Sequence, residues 1–96
     1  MIRVLVADDE RVARRRMVRL LREEPDMTVI AECAGGRAAV EHINAESPDL
    51  VLLDVQMPDL DGLGVIEAVG VERMPAVVFV TAFHQYAIRG VELQRG

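Results

Sequence analysis

The chain has no lysine, a single cysteine (Cys33) and no long apolar run. Each absence excludes something. Without lysine there can be no phosphate-binding P-loop of the Walker type. A lone cysteine cannot close an internal disulfide, so a reducing cytoplasm is the expected compartment. Cys33 reads as a core residue rather than a redox centre. No apolar stretch approaches the ~20 residues that span a membrane, so no membrane association is expected. The start, Met1 to Leu5, meets acids at Asp8 and makes a poor secretory signal. There is no repeat, linker or low-complexity segment.

The 96 residues suit one small domain, 1–96, and 51% of them are hydrophobic, enough for a core. A chain of this size buries a modest share of its surface and is expected to be marginally stable. The net charge of −5 argues against nucleic-acid binding through the whole surface. All eleven basic residues are arginine, and six of them (Arg11, Arg14, Arg15, Arg16, Arg19, Arg22) crowd one short segment.

Two apolar runs stand out, Leu50 to Leu53 and Ala76 to Val80, each preceded by a proline, Pro48 and Pro75. Continuous apolar runs of this length read as strands buried on both faces, as in a parallel sheet. Ile2 to Ala7 reads the same way, and the alternation in Thr28 to Cys33 suits a strand nearer the sheet edge. Helical spacing fills the intervals. In Glu10 to Glu24 the apolar residues Ala13, Met17, Leu20 and Leu21 recur at helical intervals, Asp9 is placed to cap the helix, and arginines cover the other face. Arg37 to Ala45, Gly62 to Val71 and Phe83 to Leu93 give three further helices. Strand and helix alternating four times predicts an α/β fold with a parallel sheet and right-handed crossovers. In such sheets ligands sit beyond the carboxyl ends of the strands.

Those ends carry Asp8 and Asp9 after the first strand, Asp54 after the third, and Thr81 and Ala82 after the fourth. The second ends in Cys33-Ala34-Gly35-Gly36, with no evident chemistry. Three carboxylates brought together need a counter-charge. Oxygen-only ligands with room for water suit magnesium. A cation would leave one carboxylate free as a nucleophile, and carboxylates are known to form aspartyl-phosphates. Thr81 could donate to a phosphoryl oxygen, and Ala82 is small enough to leave room for it. Asp59 and Asp61 read as turn residues near Gly62. His42 reads as a surface helix residue, and His84 lies beside Thr81. Gly62-Leu63-Gly64 lacks the third glycine of a dinucleotide fingerprint.

Val4 to Glu10, Leu52 to Pro58, Asp61-Gly62 and Val80-Thr81-Ala82, in this order and at these spacings, resemble the receiver domains of two-component response regulators. The resemblance covers essentially the whole chain. It implies a flavodoxin-like (CheY-like) doubly wound parallel sheet, with four of the usual five strands present in the order 2-1-3-4. It also implies that Asp54 takes a phosphoryl group from a sensor histidine kinase. Magnesium would be ligated by Asp9, Asp54 and the backbone carbonyl of Gln56, with Asp8 acting mainly through a metal-bound water. Thr81 would be the switch hydroxyl. Phe79 to Ile88 is similar to receivers of the LytR/AlgR type, whose output is a LytTR DNA-binding domain that regulates transcription. The arginine face of the first helix is either a solvated surface or a docking face for the kinase.

One departure is plain. Receivers of this family carry a lysine at the end of a fifth strand, and here that strand, its lysine and the last helix would fall beyond Gly96. Arg89 or Arg95 is a poor geometric substitute. The apolar fourth strand would then be an edge, which invites a homodimer or strand-swapped oligomer. The expected role is a phosphorylation switch, not a turnover enzyme. The alternatives are a phosphorylation-independent interaction and dimerisation module, and an aspartyl phosphohydrolase. The last needs a second acid two residues after the nucleophile, where this chain has Gln56.

Overall fold

A computed structural model describes residues 1–80. Seven elements alternate along it: β1 (Ile2–Ala7), α1 (Arg11–Arg22), β2 (Met27–Cys33), α2 (Gly36–Glu46), β3 (Leu50–Asp54), α3 (Gly62–Val69) and β4 (Ala76–Val80). The strands form one parallel sheet in the order β2-β1-β3-β4. The α/β parallel sheet expected from the pattern of runs, and the CheY-like order 2-1-3-4 implied by the resemblance, are those observed. The helix expected over Phe83 to Leu93, and Thr81, Ala82, His84, Arg89 and Arg95, lie outside the described residues.

The sheet order explains why the helices divide between its faces. The chain steps one way from β1 to β2, then back across β1 to β3 and on to β4. Right-handed crossovers must therefore place α1 on one face and α2 and α3 on the other. Each strand feeds both layers by alternation. Val4 and Val6 pack with Val18 of α1, joined by Met17, Leu21, Val29, Leu50 and Leu52. Leu5, Ala7, Val51 and Leu53 point the other way and pack with Ala39 and Ile43 of α2 and Val65 and Val69 of α3. Two buried faces are why β1 and β3 read as unbroken apolar runs. β2 lies at the sheet edge as its alternation suggested, and its register with β1 shifts between Val4 and Leu5.

β4 departs from the expected burial. Its Val78 and Phe79 are 47% and 44% exposed, and among the described residues it pairs only with β3.

α1 corrects two further expectations. Its N-cap is Glu10, not Asp9: the Glu10 carboxylate accepts the N–H groups of Val12 (3.2 Å) and Ala13 (2.8 Å). The buried stripe runs through Arg14, Met17, Val18 and Leu21, the i, i+3, i+4, i+7 pattern, and Leu20 is 54% exposed. Counting Leu20 as core placed the stripe one side chain too far round. α3 stops at Val69, two residues before the expected end. Gly70 adopts φ 99°, a conformation that favours glycine, and its N–H caps the Ile66 carbonyl. Val71 is then released to solvent.

Candidate functional site: an acid cluster at the carboxyl edge

β1 and β3 are adjacent and parallel, with Ala7 paired to Leu53, so the residues that follow emerge side by side. Asp8, Asp9 and Asp54 each bring a carboxylate oxygen within 4.8 Å of the others. The structure thus brings together the three acids singled out from the motifs. Asp8 and Asp54 are almost fully buried and Asp9 is exposed. Asp9 and Asp54 border an open cavity of about 750 Å³, lined also by Glu10, Val55, Gln56, Met57, Pro58 and Asp61. Gln56 is therefore at the site.

Local hydrogen bonds fix the acids. Asp8 Oδ1 accepts the Glu10 N–H at 2.8 Å, and Asp54 Oδ1 accepts the Gln56 N–H at 3.1 Å. The backbone of Asp8 is held as well. Its N–H donates to the Cys33 carbonyl of β2, and its carbonyl accepts from the Arg14 guanidinium at 2.9 Å. Arg14, only 15% exposed, lies 3.6 Å from the Glu32 carboxylate, which also bonds Arg15 at 3.1 Å. Arg14 is thus spent on a carbonyl and on another acid, and forms no ion pair with the cluster.

The electrostatic result is visible at Asp54. Burial is the largest cause pushing its carboxyl up, the Gln56 N–H opposes it, and Asp8 and Asp9 push it further, to about 6. An acid so placed holds its proton more tightly unless a cation joins it. An oxygen-only donor set, short of positive charge and open to solvent on one side, is what a hard divalent cation such as magnesium prefers. The residues fit that ion. Cys33, at the end of β2, is pushed up to about 11, chiefly by burial, and is a poor nucleophile.

Two residues here were not foreseen as site neighbours. Arg14 had been counted with the solvated arginines. Asp59 is a turn residue as expected, but its carboxylate accepts the N–H groups of Gly36 (3.0 Å) and Arg37 (3.1 Å) across the fold. Those donors, Arg37 first, hold its carboxyl below the usual carboxylate range. Asp61 caps α3 through the Gly64 N–H at 2.7 Å.

The acid cluster stands at the carboxyl edge of a β2-β1-β3-β4 parallel sheet, and comparison with known proteins identifies the family. The model of the response regulator receiver domain matches residues 4–96, and the chain belongs to that family. It is 42% identical over 92 residues to an uncharacterized response regulatory protein of Yersinia pestis, covering 96% of this chain and 39% of that one. It is 39% identical to the transcriptional regulatory protein BtsR of Salmonella typhi, covering 96% and 38%. Among solved structures it is similar to the receiver domain of the putative response regulator NarL from Mycobacterium tuberculosis. There the TM-score is 0.78 at 38% identity, over 99% of this chain and 77% of that one. It is also similar to the response regulator domain of Thermotoga maritima CheB, with a TM-score of 0.72 at 32% identity, over 93% and 72%. The chain thus spans about two fifths of the length of the curated relatives quoted.

Proposed function

We propose that Asp54 is the phospho-acceptor of this receiver domain, supplied by a sensor histidine kinase in the cytoplasm. The observation that carries the reading is a buried carboxylate at the end of β3, held within 4.8 Å of Asp8 and Asp9 at the mouth of an open cavity. Asp54 attacks the phosphorus of a phosphohistidine. The new O–P bond forms as the N–P bond breaks, and the imidazole leaves with the bonding pair and takes up a proton. Water later attacks the aspartyl phosphate, releases inorganic phosphate and restores the carboxylate.

Asp8, Asp9, Asp54 and the Gln56 backbone carbonyl are the groups to hold Mg2+, which when bound offsets charge on the transferring phosphoryl group. The chain's own part is positioning. The Gln56 N–H orients the nucleophile, and the Glu10 N–H orients Asp8. Burial keeps bulk water from the Asp54 carboxylate except through the cavity. Thr81 and Ala82, which follow Val80 in the sequence, are the residues proposed to sense the phosphoryl group. The response is a shift in a dimer or output surface, not substrate turnover. Relatives named as transcriptional regulators support an output on DNA through a further domain, and the likeness of Phe79 to Ile88 to LytR/AlgR-type receivers favours a LytTR domain.

The test is intact mass after incubation with Mg2+ and acetyl phosphate. One phosphoryl group should be gained and lost again in Asp54→Asn. No adduct and no Mg2+ uptake would favour a phosphorylation-independent interaction module. Rapid repeated turnover would favour a hydrolase.

A further inference from the structure

The Gly35-Gly36 pair at the end of β2 bears no reactive group, yet it meets the loop that borders the acid cluster. That loop, Val55 to Asp61, runs from β3 to α3 and supplies Val55, Gln56, Met57, Pro58 and Asp61 to the cavity lining. Its start is tied to the sheet, since the Val55 N–H donates to the Val80 carbonyl and the Val55 carbonyl accepts from Gly62. Its end is tied by the Asp61 cap. Its middle needs another anchor. α2 has no cap of its own, because its N-cap position is Gly35. The Asp59 carboxylate fills that role from the loop, accepting from both Gly36 and Arg37.

The fit leaves no slack. A Cβ on Gly35 would stand 2.9 Å from both Asp59 carboxylate oxygens, and one on Gly36 would collide with the Leu60 carbonyl. Leu60 also packs against the first turn of α3, where a Cβ on Gly64 would strike its side chain. The loop is therefore seated on two helix starts at once.

We infer that Asp59 is a positioning residue: its carboxylate latches the Val55–Asp61 loop to the start of α2 and so holds the Gln56 backbone and the cavity rim in place for the cation and phosphoryl group. This rests on the phospho-acceptor reading of the same site. Outer residues that orient a metal site typically change affinity by about 10- to 100-fold when lost, and Asp59 acts through backbone several residues away, so the low end applies.

The experiment compares Asp59→Ala with Asp59→Asn in Mg2+ titration calorimetry, acetyl phosphate kinetics and thermal melting. Asp59→Ala is expected to weaken Mg2+ binding about tenfold and to raise the apparent KM for acetyl phosphate more than it lowers the maximal rate. Asp59→Asn keeps one acceptor oxygen for one of the two N–H groups, so its losses should fall between those of the unsubstituted protein and Asp59→Ala. Gly36→Ala, if it folds, should resemble Asp59→Ala; the Asp59 pair decides the matter if it does not. A lower melting temperature in Asp59→Ala with unchanged Mg2+ affinity would reduce Asp59 to a helix cap and overturn the latch. Equal losses in both Asp59 variants that disappear at high salt would assign the effect to charge and overturn it too. Should the unsubstituted protein bind no Mg2+ and gain no phosphoryl group, the phospho-acceptor reading fails and the latch role fails with it.

Discussion

At the amino-terminal edge of the sheet, Asp49 is exposed and its carboxylate accepts the Arg3 N–H at 2.8 Å, while the Arg3 guanidinium bonds the Ser47 carbonyl at 3.0 Å. At the carboxyl edge, Asp8 and Asp54 are 1% and 2% exposed, Asp9 stands beside them, and among the described residues no guanidinium forms an ion pair with a carboxylate of the three. Aspartate thus stands at both ends of β3 in opposite conditions. One edge is satisfied by its own neighbours and does a structural job. The other gathers negative charge that its neighbours leave uncompensated, which costs stability and has a purpose only if something positive arrives. The contrast locates function at one end of a sheet whose core is continuous from end to end.

The sharpest way to break this contrast is to neutralise one acid at each edge and titrate with Mg2+. Asp9→Asn removes one of the carboxylates proposed to hold the ion. Its loss should exceed that of an outer residue, so affinity is expected to fall by about 100-fold or more. Asp49→Asn should leave affinity unchanged, because its charge faces solvent at the far edge and is screened over such a distance. Similar losses in the two variants, read by calorimetry, would mean that general surface charge rather than the cluster binds the ion.

A smaller effect should appear in stability against pH in the metal-free protein. The folded state raises the Asp54 pKa from 3.8 to about 6. The folded protein therefore binds more protons than the unfolded chain between those values, and stability falls as pH rises through that window. The contribution is fully present below about pH 4 and lost above about pH 6. Asp54→Asn should remove this slope and leave the variant more stable than the parent at pH 7 in EDTA, with the difference closing near pH 4. Urea midpoints at three pH values measure it. A parent as stable at pH 7 as at pH 4, with Asp54→Asn no better, would mean that the cluster is relieved by some other group.

How much of this was legible in the sequence follows from how local each signal is. Leu52-Leu53-Asp54 announces itself, because a carboxylate closing an apolar run has no reason to be there in a core strand. Ala7-Asp8-Asp9 does the same; the alternation of runs and helical spacing yields a parallel sheet, while the strand order that sets the two side by side is legible only through the resemblance to receiver domains. Arg14 was not legible. Among six arginines in one segment, only the stripe through Met17, Val18 and Leu21 tells that this one turns inward, and that stripe was misplaced by counting Leu20. Glu10 was passed over as cap because Asp is the commoner capping residue, yet the turn after β1 commits Asp8 to the Glu10 N–H and leaves the Glu10 carboxylate free to fold back. Asp59 could be read as a turn residue, but its partners lie 22 and 23 positions away. The Gly35-Gly36 pair was the one visible trace of that contact. Glycines beside a strand end with no chemistry of their own mark a place where another segment comes close.

The smallest effect sharpens the contrast furthest, because it asks what each edge wants from its aspartate. At the amino edge Asp49 serves as an acceptor. Its carboxylate takes the Arg3 N–H while its own N–H donates to the Arg3 carbonyl at 2.9 Å, which aligns the start of β3 with β1. An asparagine oxygen can accept the same bond, so Asp49→Asn should change stability by less than about 0.5 kcal/mol. Asp49→Ala leaves the Arg3 N–H without that partner and should cost about 1 kcal/mol, near the net worth of one hydrogen bond. Urea unfolding resolves the two. A cost for Asp49→Asn equal to that of Asp49→Ala would show that this edge also depends on charge. The two edges would then differ in degree, and the case that uncompensated charge marks the functional end would rest on the burial of Asp8 and Asp54 alone.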